Sequence, residues 1–270
     1  MNDTLKIYDI VYAKRLFMGT ARYESQQQLE EAIDAASPAL LTASVRRQLP
    51  AQNATGPKQD FWQMLASKSA VILPNTAGCY SAHEAIETAC MARELFDTKL
   101  IKLEVLGDSV NLQPDVFGLV EAAETLVKMG FHVYPYCTED LVACRRLIDV
   151  GCKVLMPWGA PIGTGQGMRN TSGLRELRQR IQEVPLIVDA GLGLPSHACQ
   201  VMEWGFDAVL VNTAISRANH PARMALAFDA AVNAGRAAWR SGPMAVRELA
   251  VASTPEENKA ALATPAGVGA

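Results

Sequence analysis

The sequence lacks several features that mark whole classes of protein. Its apolar runs end after about eight residues, whereas a helix that spans a bilayer needs roughly 18. It has no basic surplus, since 25 Lys and Arg stand against 28 Asp and Glu, and the net charge of −3 does not favour nucleic acid as a partner. The first residues lack the basic and apolar segments of a secretion signal. We therefore expect a soluble, cytoplasmic protein that binds neither membrane nor nucleic acid.

The cysteines and histidines are too few and too scattered for a metal or disulfide framework. None of the 6 cysteines forms a CxxC pair, and the 4 histidines form no HxxxH pattern. Structural zinc sites usually show such spacing, and disulfide frameworks belong mainly to short secreted chains. The sequence thus predicts reduced thiols and no metal site.

The composition and its periodicity predict an α/β protein. With 49% hydrophobic and 20% charged residues, the chain is too apolar and too weakly charged to be disordered. It contains short, nearly continuous apolar runs, which are typical of strands buried on both faces of a parallel sheet. These runs are 16–20, 39–45, 70–76, 100–106, 131–137, 153–158, 185–191 and 208–214.

Amphipathic helical segments lie between these runs. The segment 81–96 opens with Ser81 and Glu84 in a capping-box pattern and then repeats apolar residues every three or four positions. Further helices are expected to begin at Pro114, Thr138, Ser172, Pro195 or Ser196, and Pro221.

Eight strands that alternate with helices predict a single (β/α)8 TIM barrel over residues 1–242, followed by a flexible tail, 243–270. An open doubly wound sheet is the alternative, but no GxGxxG motif follows the first strand at Gly19. A short hairpin over 6–12 is expected to cover the bottom of the barrel. The long connection 46–60 would lie on the opposite, C-terminal face as a lid.

The fourth run places two charged residues where a barrel normally has apolar ones. Lys102 and Glu104 share one face of the strand, and Ile101, Leu103 and Val105 share the other. The charged pair is expected to face the interior, where loss of hydration would lower the pKa of the lysine. A neutral amine can attack a ketone to form an imine, and a carboxylate can move the protons. An ordinary buried ion pair is the alternative interpretation.

A second carboxylate, Asp189, ends the seventh run, where barrel enzymes place catalytic groups. Its simpler role would be to cap the following loop or helix. Two carboxylates that face one lysine would suit an imine reaction with several proton transfers.

Three loops at the same end of the barrel favour a phosphorylated small molecule. Glycine lets backbone N–H groups approach an anion, and barrels of this type often bind phosphate after strands seven and eight. The residues concerned are Gly163 in the glycine-rich loop 159–167, Ala190 and Gly191 after strand seven, and Asn212 and Thr213 after strand eight.

Six motifs, in order, resemble those of bacterial thiazole synthase of thiamine biosynthesis. They are PNTAGC at 74–79, IKLEV at 101–105, PYC at 135–137, PIGTGQG at 161–167, VDAG at 188–191 and VNTA at 211–214. The resemblance covers roughly residues 5–240. It departs at Ala160 and Thr164, where that family usually has serine.

The resemblance implies a reaction that forms the thiazole phosphate carboxylate of thiamine. Its implied reactants are 1-deoxy-D-xylulose 5-phosphate, dehydroglycine and a small sulfur-carrier protein with a C-terminal Gly-Gly thiocarboxylate. Lys102 would form the imine (Schiff base), Glu104 and Asp189 would be the acid/base groups, and Gly163, Ala190–Gly191 and Asn212–Thr213 would contact the sugar phosphate. The resemblance also implies a homotetramer and no metal or organic cofactor.

Two other functions remain open on the residues alone. One is a class I (Schiff-base) aldolase that acts on a phosphorylated sugar and needs no sulfur. The other is a non-catalytic sugar-phosphate-binding barrel.

Overall fold

The computed structural model describes residues 3–45 and 57–253. A hairpin of β1 (Leu5–Ile7) and β2 (Ile10–Tyr12) precedes a regular alternation of strands and helices. The strands are β3 (Leu16–Gly19), β4 (Leu40–Ser44), β5 (Val71–Asn75), β6 (Leu100–Leu103), β7 (His132–Cys137), β8 (Met156–Pro157), β9 (Ile187–Asp189) and β10 (Ala208–Val211). The helices are α1 (Gln26–Ala36), α2 (Pro57–Ser67), α3 (Ala82–Phe96), α4 (Val116–Lys128), α5 (Leu141–Asp149), α6 (Thr171–Arg180), α7 (Pro195–Glu203), α8 (Thr213–Ser216) and α9 (Pro221–Arg240).

Strands β3 to β10 form one parallel sheet that closes on itself. Their order is β8-β7-β6-β5-β4-β3-β10-β9. The two outer strands of that order, β8 and β9, are joined by parallel bridges between Leu155 and Leu186 and between Trp158 and Asp189. The predicted eight-stranded barrel is confirmed, and the open-sheet alternative is wrong.

The strand residues divide between two apolar layers. Ile101, Leu103 and Val105 pack in the layer between the strands and the helices, so the opposite face of β6 points into the barrel. The lower interior is apolar, and the hairpin seals it: Tyr12 packs there and its hydroxyl lies 2.8 Å from that of Tyr134. The hairpin therefore covers the N-terminal end of the barrel, as the sequence predicts.

Three predicted helix starts are displaced by one or two residues. The side chain of Asp140, not Thr138, caps α5, and Asn170, not Ser172, caps α6. Asp115 caps α4, which begins after Pro114. In each case a side chain with an amide or carboxylate oxygen lies close to the predicted residue and accepts from a backbone N–H of the first turn, a role that Asn and Asp fill well.

Two predicted irregular segments are described only in part. The predicted end of the connection 46–60 is wrong, because α2 already begins at Pro57. Residues 46–56 of that connection lie outside the described residues. Within the predicted tail, residues 243–253 are exposed and contain neither helix nor strand, and 254–270 lie outside the described residues. None of the described helices combines the length and the apolar character needed to cross a membrane.

Candidate active site

Buried polar side chains collect where the barrel strands end. The lower interior is filled by apolar residues of the strands and the hairpin, whereas polar groups replace them near the carboxyl ends. The buried polar residues at or next to these ends are Thr20, Thr42, Ser44, Asn75, Thr76, Lys102, Glu104, Thr138 and Asp189. Burial of so many polar groups on one side of the barrel marks that side as the candidate site.

Lys102 lies between two carboxylates inside the barrel. Its Nζ is 2.9 Å from Oε1 of Glu104 and 2.6 Å from Oδ2 of Asp189. All three side chains are buried, with at most 7% of each exposed. Strands β6 and β9 are separated by β7 and β8, so Lys102 reaches Asp189 across the interior. The structure thus brings together the three predicted catalytic residues.

The charge state of Lys102 differs from the prediction. Burial lowers its pKa, as expected, but the charges of Asp189 and Glu104 act the other way, and the net pKa lies above its ordinary value. The predicted lowering is therefore wrong, because the sequence shows the burial of the lysine but not the short distance to Asp189. For Asp189, burial raises the pKa despite the opposing charge of Lys102. The resting site holds an ammonium beside a carboxyl that is easier to protonate than usual.

Thr76 fixes the backbone that carries Glu104. Its hydroxyl donates to the carbonyl oxygen of Glu104 at 2.8 Å and accepts from the N–H of Glu104, also at 2.8 Å. Because Glu104 follows the last residue of β6, these bonds continue the pairing beyond the strand. Thr76 lies within a motif that carries the family resemblance, but its residue type and spacing predict no role, since threonine next to a strand usually only packs.

Tyr136 is a second site residue that the sequence analysis missed. Its ring centroid lies 5.5 Å from Nζ of Lys102, within the range of a cation–π contact. Burial, and then the negative charges of Asp189 and Glu104, raise the pKa of its phenol. The alternation along β7 places Tyr134 and Tyr136 on one face, a signal that could have indicated an interior position.

The three predicted phosphate loops lie side by side. The N–H of Gly167 donates to the carbonyl of Gly191 at 2.8 Å. A Cβ built on Gly163 would lie 3.8 Å from Oγ1 of Thr213. Ala190 and Gly191 both have positive φ, at 70° and 80°, so the chain turns sharply just after Asp189. The residues predicted after strands six, seven and eight therefore adjoin one another.

Asn212 is held by the first barrel strand instead of pointing freely into the mouth. With its amide oriented to satisfy both bonds, its nitrogen donates to the carbonyl oxygens of Ala21 at 2.9 Å and Gly19 at 3.1 Å. A Cβ on Gly19 would lie 2.5 Å from Cβ of Asn212, so only glycine fits there. The side chain of Asn212 orders the turn after β10.

Cys79, in the loop after β5, is engaged by a neighbouring side chain. Cys79 is fully buried with its Sγ 3.4 Å from the hydroxyl of Thr88. Among residues 3–45 and 57–253, no three His, Cys, Asp or Glu side chains are arranged to hold a metal ion.

The sequence of the whole barrel matches one family. The model of the family described as "Thiazole biosynthesis protein ThiG" matches residues 6–255. The chain is 59% identical over 253 residues to a thiazole synthase of Ralstonia pickettii, covering 94% of this chain and 91% of that protein. The chain belongs to the thiazole synthase family. A thiazole synthase of Cupriavidus necator is 56% identical over 255 residues, again covering 94% of this chain and 91% of the other.

A solved structure agrees with this family assignment. The crystal structure of the Amycolatopsis orientalis BexX/CysO complex contains a chain with a TM-score of 0.80 and 30% identity, and the match covers 92% of this chain and 98% of that one. The thiazole synthase family is therefore shown by sequence along nearly the whole barrel, and the protein is an enzyme of that family.

Proposed function

We propose that the protein forms the thiazole phosphate carboxylate of thiamine from 1-deoxy-D-xylulose 5-phosphate, dehydroglycine and sulfur delivered as a carrier-protein thiocarboxylate. The observation that carries the proposal is the placement of Lys102 between Glu104 and Asp189 inside the barrel of a thiazole synthase family member. An amine serves as the nucleophile, and the two carboxylates move the protons that each later step requires.

The first step uses the charge arrangement of the site. The Lys102 ammonium gives a proton to Asp189, whose raised pKa makes it a better acceptor than an ordinary aspartate. The free amine attacks the ketone carbon, so an N–C bond forms as the C=O π bond opens, and the oxygen takes up a proton that the nitrogen releases. Asp189 then gives its proton to that oxygen, which leaves as water, and the protonated imine remains. Glu104, 2.9 Å from the same nitrogen, then moves the protons that shift the carbonyl along the sugar.

The phosphate of the sugar would bind over the three adjoining loops. Gly163, Gly191 and Thr213 present small side chains or backbone there, which allows the close approach of an anion. Ala190 would contribute through its backbone, and Asn212 through the turn that it orders. No metal or organic cofactor is part of the proposal.

Sulfur delivery requires a protein partner that reaches the C-terminal end of the barrel. The structural relative solved as a BexX/CysO complex supports such a partner, and we propose a small carrier with a C-terminal Gly-Gly thiocarboxylate. A homotetramer in the cytoplasm belongs to the same proposal.

Trapping the imine tests the proposal. Wild-type protein incubated with 1-deoxy-D-xylulose 5-phosphate and borohydride should gain the mass of the reduced sugar adduct, and Lys102→Ala should gain none. Lys68→Ala is the matched control, since Lys68 also pairs with two carboxylates, Glu30 and Asp34, but on the surface. An adduct that persists in Lys102→Ala would exclude Lys102 as the nucleophile.

The same experiment separates the alternatives. Cleavage of the sugar phosphate without carrier protein would indicate an aldolase. Reversible binding of the sugar with no adduct would indicate a binding barrel.

A further inference from the structure

Strand β7 carries two interior tyrosines, of which one has a hydrogen-bonded hydroxyl and the other does not. Tyr134 and Tyr136 are both fully buried and share one face of the strand. The hydroxyl of Tyr134 lies 2.8 Å from that of Tyr12 in the sealed floor of the barrel. The hydroxyl of Tyr136, two residues closer to the mouth, has no hydrogen-bond partner within residues 3–45 and 57–253.

A buried hydroxyl without a partner destabilises the folded protein, because its hydrogen bonds to water are lost and not replaced. Phenylalanine would fill the same space without that cost. The hydroxyl of Tyr136 therefore has no role in the resting fold that the described contacts explain. Such groups are usually satisfied by a ligand or by water in the working protein.

Tyr136 lies next to the nitrogen of Lys102. Its ring lies 5.5 Å from the Lys102 nitrogen, so a molecule that reacts with this nitrogen comes into the neighbourhood of the phenol. Burial, and then the charges of the nearby Asp189 and Glu104, raise the pKa of the phenol and keep it protonated. It can therefore donate a hydrogen bond but cannot act as a base near neutral pH.

We propose that Tyr136 is a substrate-orienting residue whose hydroxyl donates a hydrogen bond to an oxygen of the ketose phosphate bound at Lys102. The inference rests on the proposed function, since it takes its ligand from it. The bond would turn the ketone carbon towards the amine and would favour a polyhydroxylated chain over a bare phosphate. Tyr136 neither supplies nor removes a proton in this role.

The decisive variant is Tyr136→Phe. Its affinity for 1-deoxy-D-xylulose 5-phosphate should fall about tenfold, the usual scale for one lost hydrogen bond to a ligand. Its affinity for inorganic phosphate should not change, because the phosphate loops are untouched. Both are measured by calorimetry on the full-length protein, with the thermal midpoint recorded for each variant. That midpoint should stay the same or rise, since an unpartnered hydroxyl is removed.

Tyr134→Phe is the matched control on the same strand. It removes a paired hydroxyl and leaves that of Tyr12 without its partner, so the thermal midpoint should fall, by about 2 °C or more. Sugar-phosphate affinity should stay at the wild-type value. We thus expect Tyr136→Phe to weaken sugar-phosphate binding without loss of stability, and Tyr134→Phe to lower stability without loss of binding.

A proton-transfer role is tested by the pH profile of borohydride trapping. The profile of Tyr136→Phe should keep the wild-type shape with slower adduct formation at subsaturating sugar. A changed shape, or unchanged sugar affinity, would overturn the proposal. Absence of any adduct in wild type would instead refute the imine mechanism, and the calorimetric comparison would still decide whether Tyr136 binds the sugar.

Discussion

At the scale of single residues, the ammonium of Lys102 sets the main constraint on the site. Glu104 and Asp189 lie within 2.9 Å and 2.6 Å of it and favour its charged form, whereas the proposed reaction needs its free amine. The arrangement stabilises the resting protein and keeps the proton donor, the Lys102 ammonium, in contact with the proton-accepting carboxylates. Substrate binding has to separate one carboxylate from the nitrogen or transfer the proton to it.

Replacing Lys102 with methionine should destabilise the protein at neutral pH by about 3–5 kcal/mol, the usual cost of breaking a buried ion pair. Two buried carboxylates would lose their counter-charge. For Asp189 this removes the charge that opposes its desolvation, so its pKa in the folded state would lie further above the unfolded value. A carboxyl whose folded pKa lies above its unfolded pKa contributes stability at low pH, and this contribution is lost as pH rises through the folded value. Urea unfolding should therefore show a smaller deficit at pH 5 than at pH 8.

Lys68→Met provides the control, because its two partners are largely exposed. Its effect should stay below about 1 kcal/mol. A Lys102→Met deficit as small as this, or one that grows on acidification, would contradict the buried-pair interpretation.

The sequence predicts some site residues and not others for physical reasons. A strand period of two suffices to place Lys102 and Glu104 inside the barrel. The contact with Asp189 requires the closed sheet to bring β6 opposite β9, so the raised pKa of Lys102 could not be anticipated. Alternation along β7 would place Tyr136 inside the barrel, but its contact with Lys102 and its missing hydrogen-bond partner appear only in the structure.

At the scale of elements, the ends of strands matter more than their centres. Strand β6 stops at Leu103, yet Glu104 is held firmly because β5 ends in Asn75 and then offers the hydroxyl of Thr76. The carboxylate is thus positioned by the neighbouring strand. The backbone beyond a strand end would otherwise have unsatisfied polar groups.

Thr76→Val keeps the shape but removes both bonds to the Glu104 backbone. We expect a loss of about 1–3 kcal/mol in unfolding free energy, because buried backbone groups are left unpaired. Turnover should fall more than sugar-phosphate affinity, since the carboxylate, not the phosphate loops, is displaced. Steady-state kinetics and calorimetry measure the two effects.

Thr88→Val is a suitable comparison, as the Thr88 hydroxyl faces the sulfur of Cys79. A sulfur partner is weaker, so the cost should be below about 1 kcal/mol with normal turnover. Equal losses of turnover in the two variants would argue against a positioning role for Thr76.

The phosphate loops provide a second test at this scale. A Cβ on Gly193 would overlap the backbone of Gly165 in the neighbouring loop. Gly193→Ala should therefore push the loops after β8 and β9 apart and weaken binding of inorganic phosphate about tenfold or more, since small displacements of binding groups have large effects. Equilibrium binding measures this directly.

Gly130→Ala separates this effect from backbone strain. Gly130 has φ of 83°, and a Cβ built on it would have no heavy atom within 4 Å. Alanine there should lower stability by about 1 kcal/mol and leave phosphate binding intact. If Gly193→Ala bound phosphate normally, the loops would not form the proposed site.

Element types were more predictable than their bounds. Apolar runs located all eight barrel strands, because each is buried on both faces. The first turns of α5 and α6 offered several capping candidates within two or three residues, and sequence alone does not rank Thr138 against Asp140. The predicted strand 153–158 shrinks to Met156–Pro157, and the flanking Leu155 and Trp158 each make one isolated bridge, to Leu186 and Asp189.

At the scale of the whole molecule, an ion cluster ties the two ends of the barrel chain together. The carboxylate of Asp3 lies 2.8 Å from Arg15, at the entry to β3, and 2.8 Å from Arg236 in the last helix. Its hydrogen bond with Arg236 and the charges of the surrounding arginines lower the pKa of Asp3 to about 2.

Asp3→Asn should lower stability by about 1 kcal/mol at neutral pH, the scale of a partly exposed ion pair. A folded pKa below the unfolded value gives stability above roughly pH 4 that is lost as pH falls towards 2. The difference from wild type should therefore vanish in strong acid. Thermal melts from pH 7 to pH 2.5 measure it.

Glu124→Gln is the control, because its pair with Lys128 is an exposed contact within α4. It should change little at any pH. A constant difference between Asp3→Asn and wild type down to pH 2.5 would show that the Asp3 charge is not responsible.

The sealed floor of the barrel has a consequence for the order of events. The hairpin and the Tyr12–Tyr134 pair close the N-terminal end, so under the proposed function the C-terminal end serves as both entrance and exit. A sugar phosphate, a protein tail and an amino-acid derivative cannot pass through one opening at once. Under the proposed function, reactants must therefore arrive one after another, the spent carrier must withdraw before the product leaves, and excess carrier should inhibit turnover.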